Sequence, residues 1–252
     1  MTLKCAIRVG VALSIIYAAG CIPLTVGSTA EPVPVGTTVY STSMYVVPNS
    51  VDDSVDNRSF PRYGVDPEVR FGFDERSDIG VRAPSFSGIV ANYKRRLNGV
   101  SGAPGAATAF MVGGGLVNWG DHVHLEATLI TSAGDNDRFT PYGGIRAMQV
   151  IPINKGAVHD SPTLGGFLGA RIGTRDAGIS PEIGVFYDHS ALRIRKGNIL
   201  FVPAITIHGD FARFLLHRQH ERKAGRQDSA RGRHANLNRE RELGQGRREG
   251  SS

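Results

Sequence analysis

Residues 62–73 have the sequence RYGVDPEVRFGF, in which apolar and polar positions alternate. The odd positions are Tyr63, Val65, Pro67, Val69, Phe71 and Phe73, and the even positions are Arg62, Gly64, Asp66, Glu68, Arg70 and Gly72. Successive side chains of a β-strand point to opposite faces of the sheet, so this sequence gives a strand one apolar and one polar face. The segment therefore predicts a strand that lies between two different environments.

The same alternation recurs along the chain, with turns between the repeats. The candidate strands are 38–46, 62–73, 79–83, 88–95, 106–115, 122–132, 142–150, 166–174, 179–187 and 199–208. Many of them have the length that crosses a bilayer as a tilted strand. We therefore predict an all-β fold, an antiparallel up-and-down β-barrel of about 8–10 strands that occupies residues 36–214.

Two kinds of barrel produce this alternation, and they differ in which face lies inside. In a soluble lipocalin-like barrel the apolar face is inside, whereas in a membrane barrel the apolar face contacts lipid and the polar face lines the lumen. The polar faces combine glycine with charges of both signs, which suits a narrow lumen in which buried charges are paired. The predicted lumen charge network consists of Glu68, Arg70, Arg82, Lys94, Glu126, Arg146, Arg171 and Glu182.

Aromatic residues and prolines add two predictions about the strands. Membrane barrels carry aromatic side chains at both interfaces, and the candidates for these positions are Tyr63, Phe71, Phe73, Tyr93 and Tyr142. Proline donates no main-chain hydrogen bond, so a proline in a strand is expected at a strand end or a bulge. The prolines concerned are Pro67, Pro141, Pro181 and Pro203.

The N-terminus has the pattern of an export signal. Lys4 and Arg8 precede an apolar run, Val9–Ala19, which has the length of a signal-peptide core. The residues that follow complete the segment Ala18-Ala19-Gly20-Cys21, which resembles the lipobox of bacterial lipoprotein precursors. The resemblance implies a lipoprotein signal peptide at 1–20, acylation of Cys21, and a lipidated tether at 21–35.

An alternative to the lipobox is ordinary signal-peptide cleavage after Ala30, because Ser28 and Ala30 are small residues at suitable spacing. Ile22, rather than Asp, follows Cys21. Asp at that position would resemble an inner-membrane retention signal. The sequence therefore favours the outer membrane, lipid-anchored, as the location, with the periplasm as the alternative.

The C-terminal segment 215–252 carries much of the positive charge and has few apolar residues. The chain as a whole has a net charge of +6, and the segment from Arg213 to Ser252 holds eleven Lys/Arg against five Asp/Glu. We predict a disordered basic tail at 215–252. The remaining body is balanced in charge, so we expect no nucleic-acid partner.

Few residues of the body suggest chemistry. His122, His124 and Glu126 alternate on one predicted strand and could form a metal or catalytic site, but a polar network of the lumen or rim explains them as well. Ser132, Ser161 and Ser180 would each need an activating histidine, and no sequence feature supplies one. We therefore expect no catalytic residues, no metal and no cofactor.

Several segments together resemble small bacterial outer-membrane β-barrel lipoproteins, a group of uncharacterised or porin-like proteins. The segments are 63–65, 69–72, 78–82, 92–94, 141–146 and 180–183. With the lipobox the resemblance covers about residues 15–208. It implies an envelope protein with a structural, adhesive or narrow-conduit role. Its partners would be outer-membrane lipids and the barrel-assembly and lipoprotein-sorting machinery.

Two alternative functions remain open at the level of sequence. The first is a lipid-tethered periplasmic lipocalin-like barrel that binds an apolar ligand inside. The second is an outer-membrane lipid hydrolase with a serine nucleophile. The positions of Phe71, Val81 and Leu125 relative to Glu68 and Arg82 separate a membrane barrel from a lipocalin-like one.

Overall fold

The computed structural model describes residues 22–52, 59–99, 105–133, 138–153, 162–187 and 199–209, except for the side chains of 49–52, 59 and 60. The predicted signal peptide at 1–20, Cys21, Ser161 and the predicted tail at 215–252 lie outside the described residues. The strands are β1 Thr38–Asp52, β2 Ser59–Asp74, β3 Ser77–Arg82, β4 Ile89–Arg96, β5 Ala107–Val117, β6 His122–Ser132, β7 Phe139–Pro152, β8 Thr163–Gly173, β9 Ala177–Tyr187 and β10 Ile199–Gly209. Short 3-10 turns lie at Pro84–Phe86 and Asn118–Gly120.

The ten strands form a closed antiparallel barrel in which each strand pairs with the next along the chain. Pairing of β1 with β10, from Ser41 opposite His208 to Tyr45 opposite Ala204, closes the barrel. The predicted up-and-down barrel is confirmed. We call the end at which β1 begins and β10 ends the terminal end, and the opposite end the distal end. The described part of the chain contains no helix of the length and apolar character needed to cross a bilayer.

The outer face of the barrel is apolar and the inner face is charged. Phe71, Val81 and Leu125 are 47%, 42% and 46% exposed, whereas Glu68 and Arg82 are 6% and 1% exposed. Water would favour the opposite arrangement, because burying charge is costly and exposing large apolar side chains gains nothing. The barrel therefore has the face assignment of a membrane-spanning barrel and not that of a lipocalin-like one.

Exposed aromatic side chains form a belt at each end of this apolar face. The belt at the terminal end contains Tyr40, Phe71, Phe73, Phe110 and Phe139, and the belt at the distal end contains Tyr63, Phe86, Trp119, Tyr187 and Phe201. Tyr93 is half-buried beside Phe73, with ring centroids 5.9 Å apart. The prediction for Tyr142 is wrong, because its side chain points into the lumen and is only 4% exposed.

The four prolines lie inside strands, so the prediction that each marks a strand end or a bulge is wrong. Each proline lies instead where pairing with one neighbouring strand stops or is interrupted. The β2–β3 pairing ends beside Pro67, the β6–β7 pairing beside Pro141, the β1–β10 pairing beside Pro203, and the β8–β9 pairing is interrupted at Pro181. The missing N–H groups therefore fall outside the continuous ladders.

Residues 22–33 run through the lumen. Ile22 and Leu24 are buried at the distal end in a cluster with Tyr45, Val47, Met148, Val150, Phe186, Leu200 and Val202. The main-chain N–H of Val33 donates to Asp78 near the terminal end, and β1 begins shortly afterwards. The predicted tether, 21–35, includes these residues. The structure corrects that assignment for 22–33, because the lumen side chains satisfy main-chain polar groups that a tether would expose to water.

Candidate functional site

The largest ion-pair cluster in the described lumen lies on β2, β3 and β4. The strand register places Glu68 opposite Arg82 and Asp78 opposite Lys94. Arg70 donates to Glu68 at 2.6 Å and also to Asp78, while Arg82 donates to Glu68 at 2.8 Å. Lys94 Nζ lies 3.3 Å from Asp78. Each carboxylate thus faces two cations, which offsets the free-energy cost of burying the charges.

A second cluster lies on β6 and β7. Arg146 pairs with Glu126, and His124 Nε2 lies 3.2 Å from the same carboxylate. His124, Glu126 and Arg146 are each 5% exposed or less. His122 is separate from them, at the rim, where its ring nitrogen is hydrogen-bonded to Asn118. The structure therefore divides the His122–His124–Glu126 pattern, and within the described residues no group of His, Cys, Asp and Glu could hold a metal.

All eight predicted network residues are buried in the lumen, and they differ in their described partners. Six of them take part in the two ion-pair clusters, and these are Glu68, Arg70, Arg82, Lys94, Glu126 and Arg146. Glu182 instead accepts hydrogen bonds from residues 22–33 and from Tyr142, at 3.0 Å. Arg171 lines a cavity beside that segment. The prediction thus identified these eight buried charges, but it did not identify residues 22–33 as a segment that lies among them.

Sequence reasoning missed several members of the lumen network. Asp78 lies just before the predicted strand 79–83, but it has the parity of Gly80 and Arg82 and shares their face. Asn92 accepts a hydrogen bond from Arg70 at 2.7 Å, and its position alternates with Lys94. Alternation was therefore a sufficient signal for both residues. No such signal existed for Glu31, which pairs with Arg96 at 2.7 Å from a segment without strand periodicity.

Glycine on the inner face makes room for these long side chains, as the sequence predicted. A Cβ atom on Gly80 would lie 2.6 Å from the Arg70 guanidinium and 2.7 Å from both Asn92 and Glu68. A Cβ on Gly169 would lie 2.6 Å from the ring of Tyr142. These separations are below van der Waals contact. The lumen is packed as tightly as a protein core, with charged side chains in place of apolar ones.

Lumen side chains make most of their polar contacts with residues 22–33 through the main chain of that segment. Both carboxylate oxygens of Glu182 accept main-chain N–H groups, from Val26 at 2.9 Å and from Gly27 at 2.8 Å. On the other side, Arg82 donates to the carbonyl of Thr25 at 2.6 Å, and Arg146 donates to the same carbonyl at 2.8 Å. The charged wall thus takes the place that a neighbouring strand has in a sheet.

Further contacts extend this pattern toward the terminal end. Lys94 donates to the carbonyls of Thr29 at 3.1 Å and Glu31 at 2.9 Å. The N–H of Ala30 donates to Ser132 at 3.2 Å, and Arg175 donates to the carbonyl of Pro32. At the distal end the Tyr45 hydroxyl donates to the carbonyl of Ile22 at 2.7 Å. Barrel side chains therefore bind the segment from one end of the lumen to the other.

One cavity of about 30 Å³ lies next to Gly27, Ser28 and Thr29, and its lining includes Arg70, Arg171 and His208. A cavity with this volume and with charged side chains in its lining has room for water. An apolar ligand requires a larger and mostly apolar pocket. The geometry thus opposes the lipocalin-like alternative.

A serine and a histidine meet in the lumen, at a position that sequence reasoning did not find. Ser180 Oγ lies 2.7 Å from His208 Nε2, and both residues are buried, on the neighbouring strands β9 and β10. Of the other candidate serines, Ser132 binds Ala30. The Ser180–His208 pair faces the filled lumen and not the apolar outer surface. A lipid substrate at the outer surface would be separated from it by the barrel wall.

The barrel is similar at low sequence identity to solved bacterial outer-membrane proteins. Ail from Yersinia pestis, determined in a phospholipid bilayer nanodisc, is 10% identical with a TM-score of 0.31, over 68% of this chain and 98% of that one. Neisserial surface protein A is 13% identical with a TM-score of 0.31, over 69% and 99%. OprG from Pseudomonas aeruginosa is 14% identical with a TM-score of 0.30, over 72% and 97%. No protein-family model and no curated protein matches the chain. The assignment of inner and outer faces therefore rests on the geometry of the chain itself.

Proposed function

We propose that this chain is an integral outer-membrane β-barrel of the bacterial envelope with a structural or adhesive role. The observation that supports the proposal is the inverted distribution of polarity, with charged side chains inside a closed barrel and an apolar surface outside. Closure matters because a barrel without free edges leaves no main-chain hydrogen-bonding groups exposed to hydrocarbon. The two aromatic belts are placed where the interfaces of a bilayer would lie.

Residues 22–33 favour a structural or adhesive role over a conduit. They fill the lumen along its length, and the cavity of about 30 Å³ beside them is much smaller than a solute pathway. An adhesive role would then depend on the connections between the strands. We propose that outer-membrane lipids contact the apolar face, that the barrel-assembly machinery inserts the barrel, and that the chain has no catalytic activity.

We also propose lipid anchoring at Cys21, with sorting by the lipoprotein machinery. The support is the lipobox-like sequence that ends at Cys21, together with the position of Ile22 in the lumen. Cleavage after Ala30 would remove most of the segment that fills the lumen. The intact mass of the mature protein tests this proposal: an acylated N-terminus at Cys21 is expected, and an unmodified N-terminus at Glu31 would contradict it.

Two measurements test the membrane barrel independently of the lipid. In washed membranes, the Cys21→Ser variant should resist extraction by alkaline carbonate, because the apolar barrel surface holds it. Purified full-length protein in a planar bilayer should show no steady conductance. A variant lacking 22–33 should conduct, provided that its gel mobility still shifts on heating, which reports a folded barrel.

The outcomes separate the parts of the proposal. Release of Cys21→Ser into the carbonate supernatant would overturn the integral barrel. Steady conductance by the full-length protein would instead support the narrow conduit and overturn the closed lumen. Hydrolysis of phospholipid by the wild type, with loss on Ser180→Ala, would overturn the non-enzymatic role.

A further inference from the structure

The lumen has the features of a binding site, because most of its polar contacts with residues 22–33 are to main-chain atoms. The N–H groups that are bound belong to Val26, Gly27, Ala30 and Val33, and the carbonyls belong to Ile22, Thr25, Val26, Thr29, Glu31 and Pro32. Main-chain groups are the same in every sequence. These contacts fix the course of a bound main chain, and the wall also packs against its side chains, because Ile22, Leu24, Val26 and Ala30 are buried in apolar clusters with wall residues.

The barrel wall does not depend on residues 22–33 for its closure or for most of its charge pairing. The strands close on one another, and the isolated bridge described before β1, between Val35 and Gly72, lies outside the segment. The ion pairs of Glu68, Asp78 and Glu126 join residues of the wall to one another. The segment thus has the relation to the wall that a ligand has to a formed site.

We propose that the lumen is a binding site for an extended polypeptide and that residues 22–33 are its replaceable occupant. The ligand class is a peptide without charge in its first nine residues and with a carboxylate at the tenth, where Glu31 meets Arg96 at 2.7 Å. Glu182 fixes the register, because its carboxylate accepts two successive N–H groups. The inference is independent of the membrane in which the barrel resides, since every contact lies inside the wall.

The test uses the full chain with a protease site inserted after Gly36. Gly36 lies in an exposed turn, and the space around its Cα is open. After cleavage of the folded protein in detergent, the N-terminal fragment should remain with the barrel in size-exclusion chromatography. A fluorescent synthetic peptide of residues 22–33 should then exchange with it. A peptide with residues 22–30 in scrambled order, and with the glutamate kept in place, should bind at least about tenfold more weakly, because a Cβ atom at position 27 would lie 2.3 Å from Thr206.

Two variants of the cleavable chain test whether the lumen recognises the peptide through the Glu182 carboxylate or only through the overall charge of the lumen. Glu182→Gln replaces one oxygen that accepts an N–H by an NH₂ group, so binding should weaken roughly ten- to hundred-fold. Asp66→Asn is the matched control, because Asp66 is equally buried but accepts its described hydrogen bond from Ser85, at 3.0 Å, and not from the segment. Its affinity for the peptide should equal that of the parent.

Three results would overturn the proposal. They are loss of the barrel fold whenever the fragment leaves, equal binding of the native and the scrambled peptide, and equal weakening by the two variants. Hydrogen exchange of the uncut wild-type chain provides a measurement that needs no insertion. Amides of 22–33 should exchange faster than those of the strands if the occupant leaves a folded barrel, and exchange at the rate of the strands would overturn replaceability.

Discussion

Strand β2 has two faces that differ in chemistry while sharing one backbone. On the outer face, the apolar side chain of Phe71 is 47% exposed. The adjacent Arg70, on the inner face, is 5% exposed and bound to two carboxylates. In a water-soluble barrel the same sequence would be turned over. The stability of the barrel therefore depends on ion pairing and close packing on the inner face and on apolar character on the outer face. Substitutions on the two faces should change the unfolding free energy for different reasons.

Loss of a buried ion-pair partner on the inner face should lower the unfolding free energy more than any other substitution considered. Glu68→Gln leaves Arg70 and Arg82 without their shared charge, and breaking a buried pair in this way costs about 3–5 kcal/mol. Urea titration in detergent micelles would measure the change in unfolding free energy. Glu75→Gln, at an exposed turn next to the same strand, is the control and should change stability by less than about 0.5 kcal/mol. Equal effects of the two substitutions would mean that the inner network contributes no more than a surface charge.

The next effect belongs to the outer face. Ile145 is 64% exposed in the middle of β7, so Ile145→Arg should cost about 2–4 kcal/mol in lipid vesicles if this face contacts hydrocarbon. Thr131→Arg, near the terminal end of β6, should cost at most about 1 kcal/mol, because membrane depth determines the cost. Stability that is insensitive to both substitutions would show that water covers this face.

A smaller effect compares the space on the two faces. Gly80→Val would force side-chain atoms into Arg70, Asn92 and Glu68, and overpacking of this kind costs about 1–3 kcal/mol. Ala91→Val, on the outer face of the neighbouring strand β4, adds the same kind of side chain where there is room and should change stability by less than about 0.5 kcal/mol. The same urea titration applies to both, and a tolerated Gly80→Val would contradict close packing in the lumen.

Alternation was enough to predict the wall of this barrel from the sequence. It correctly placed Glu68 inside and Phe71 outside, because a period of two fixes the face of every residue in a continuous strand. The error at Tyr142 has the same explanation, since Tyr142 has the parity of Arg146 and its inward position could have been read from the alternation. Its aromatic character was given more weight than its parity.

The contents of the lumen could not be predicted in the same way. Within residues 22–33, Ile22, Leu24 and Val26 alternate, but the run is short and the small side chains that follow are typical of a linker. The main-chain hydrogen bonds of the segment leave no mark in a sequence, and the sequence does not show which wall residues its apolar side chains pack against. Glu182 illustrates this limit: its charge was found, but its partners are N–H groups of Val26 and Gly27 that every sequence has.

The smallest effect concerns the aromatic belt at the terminal end. Phe73 and Tyr93 lie on β2 and β4, on either side of β3, with their rings tilted by 34° and their centroids 5.9 Å apart. A pair of this kind contributes about 0.5–1.5 kcal/mol beyond the area that it buries. A double-mutant cycle with Phe73→Leu and Tyr93→Leu should measure that coupling from the unfolding free energies of the four proteins. Because leucine is also apolar, the cycle separates the ring contact from the general affinity of the outer face for lipid. Additive effects would mean that the two rings lie side by side without stabilising each other.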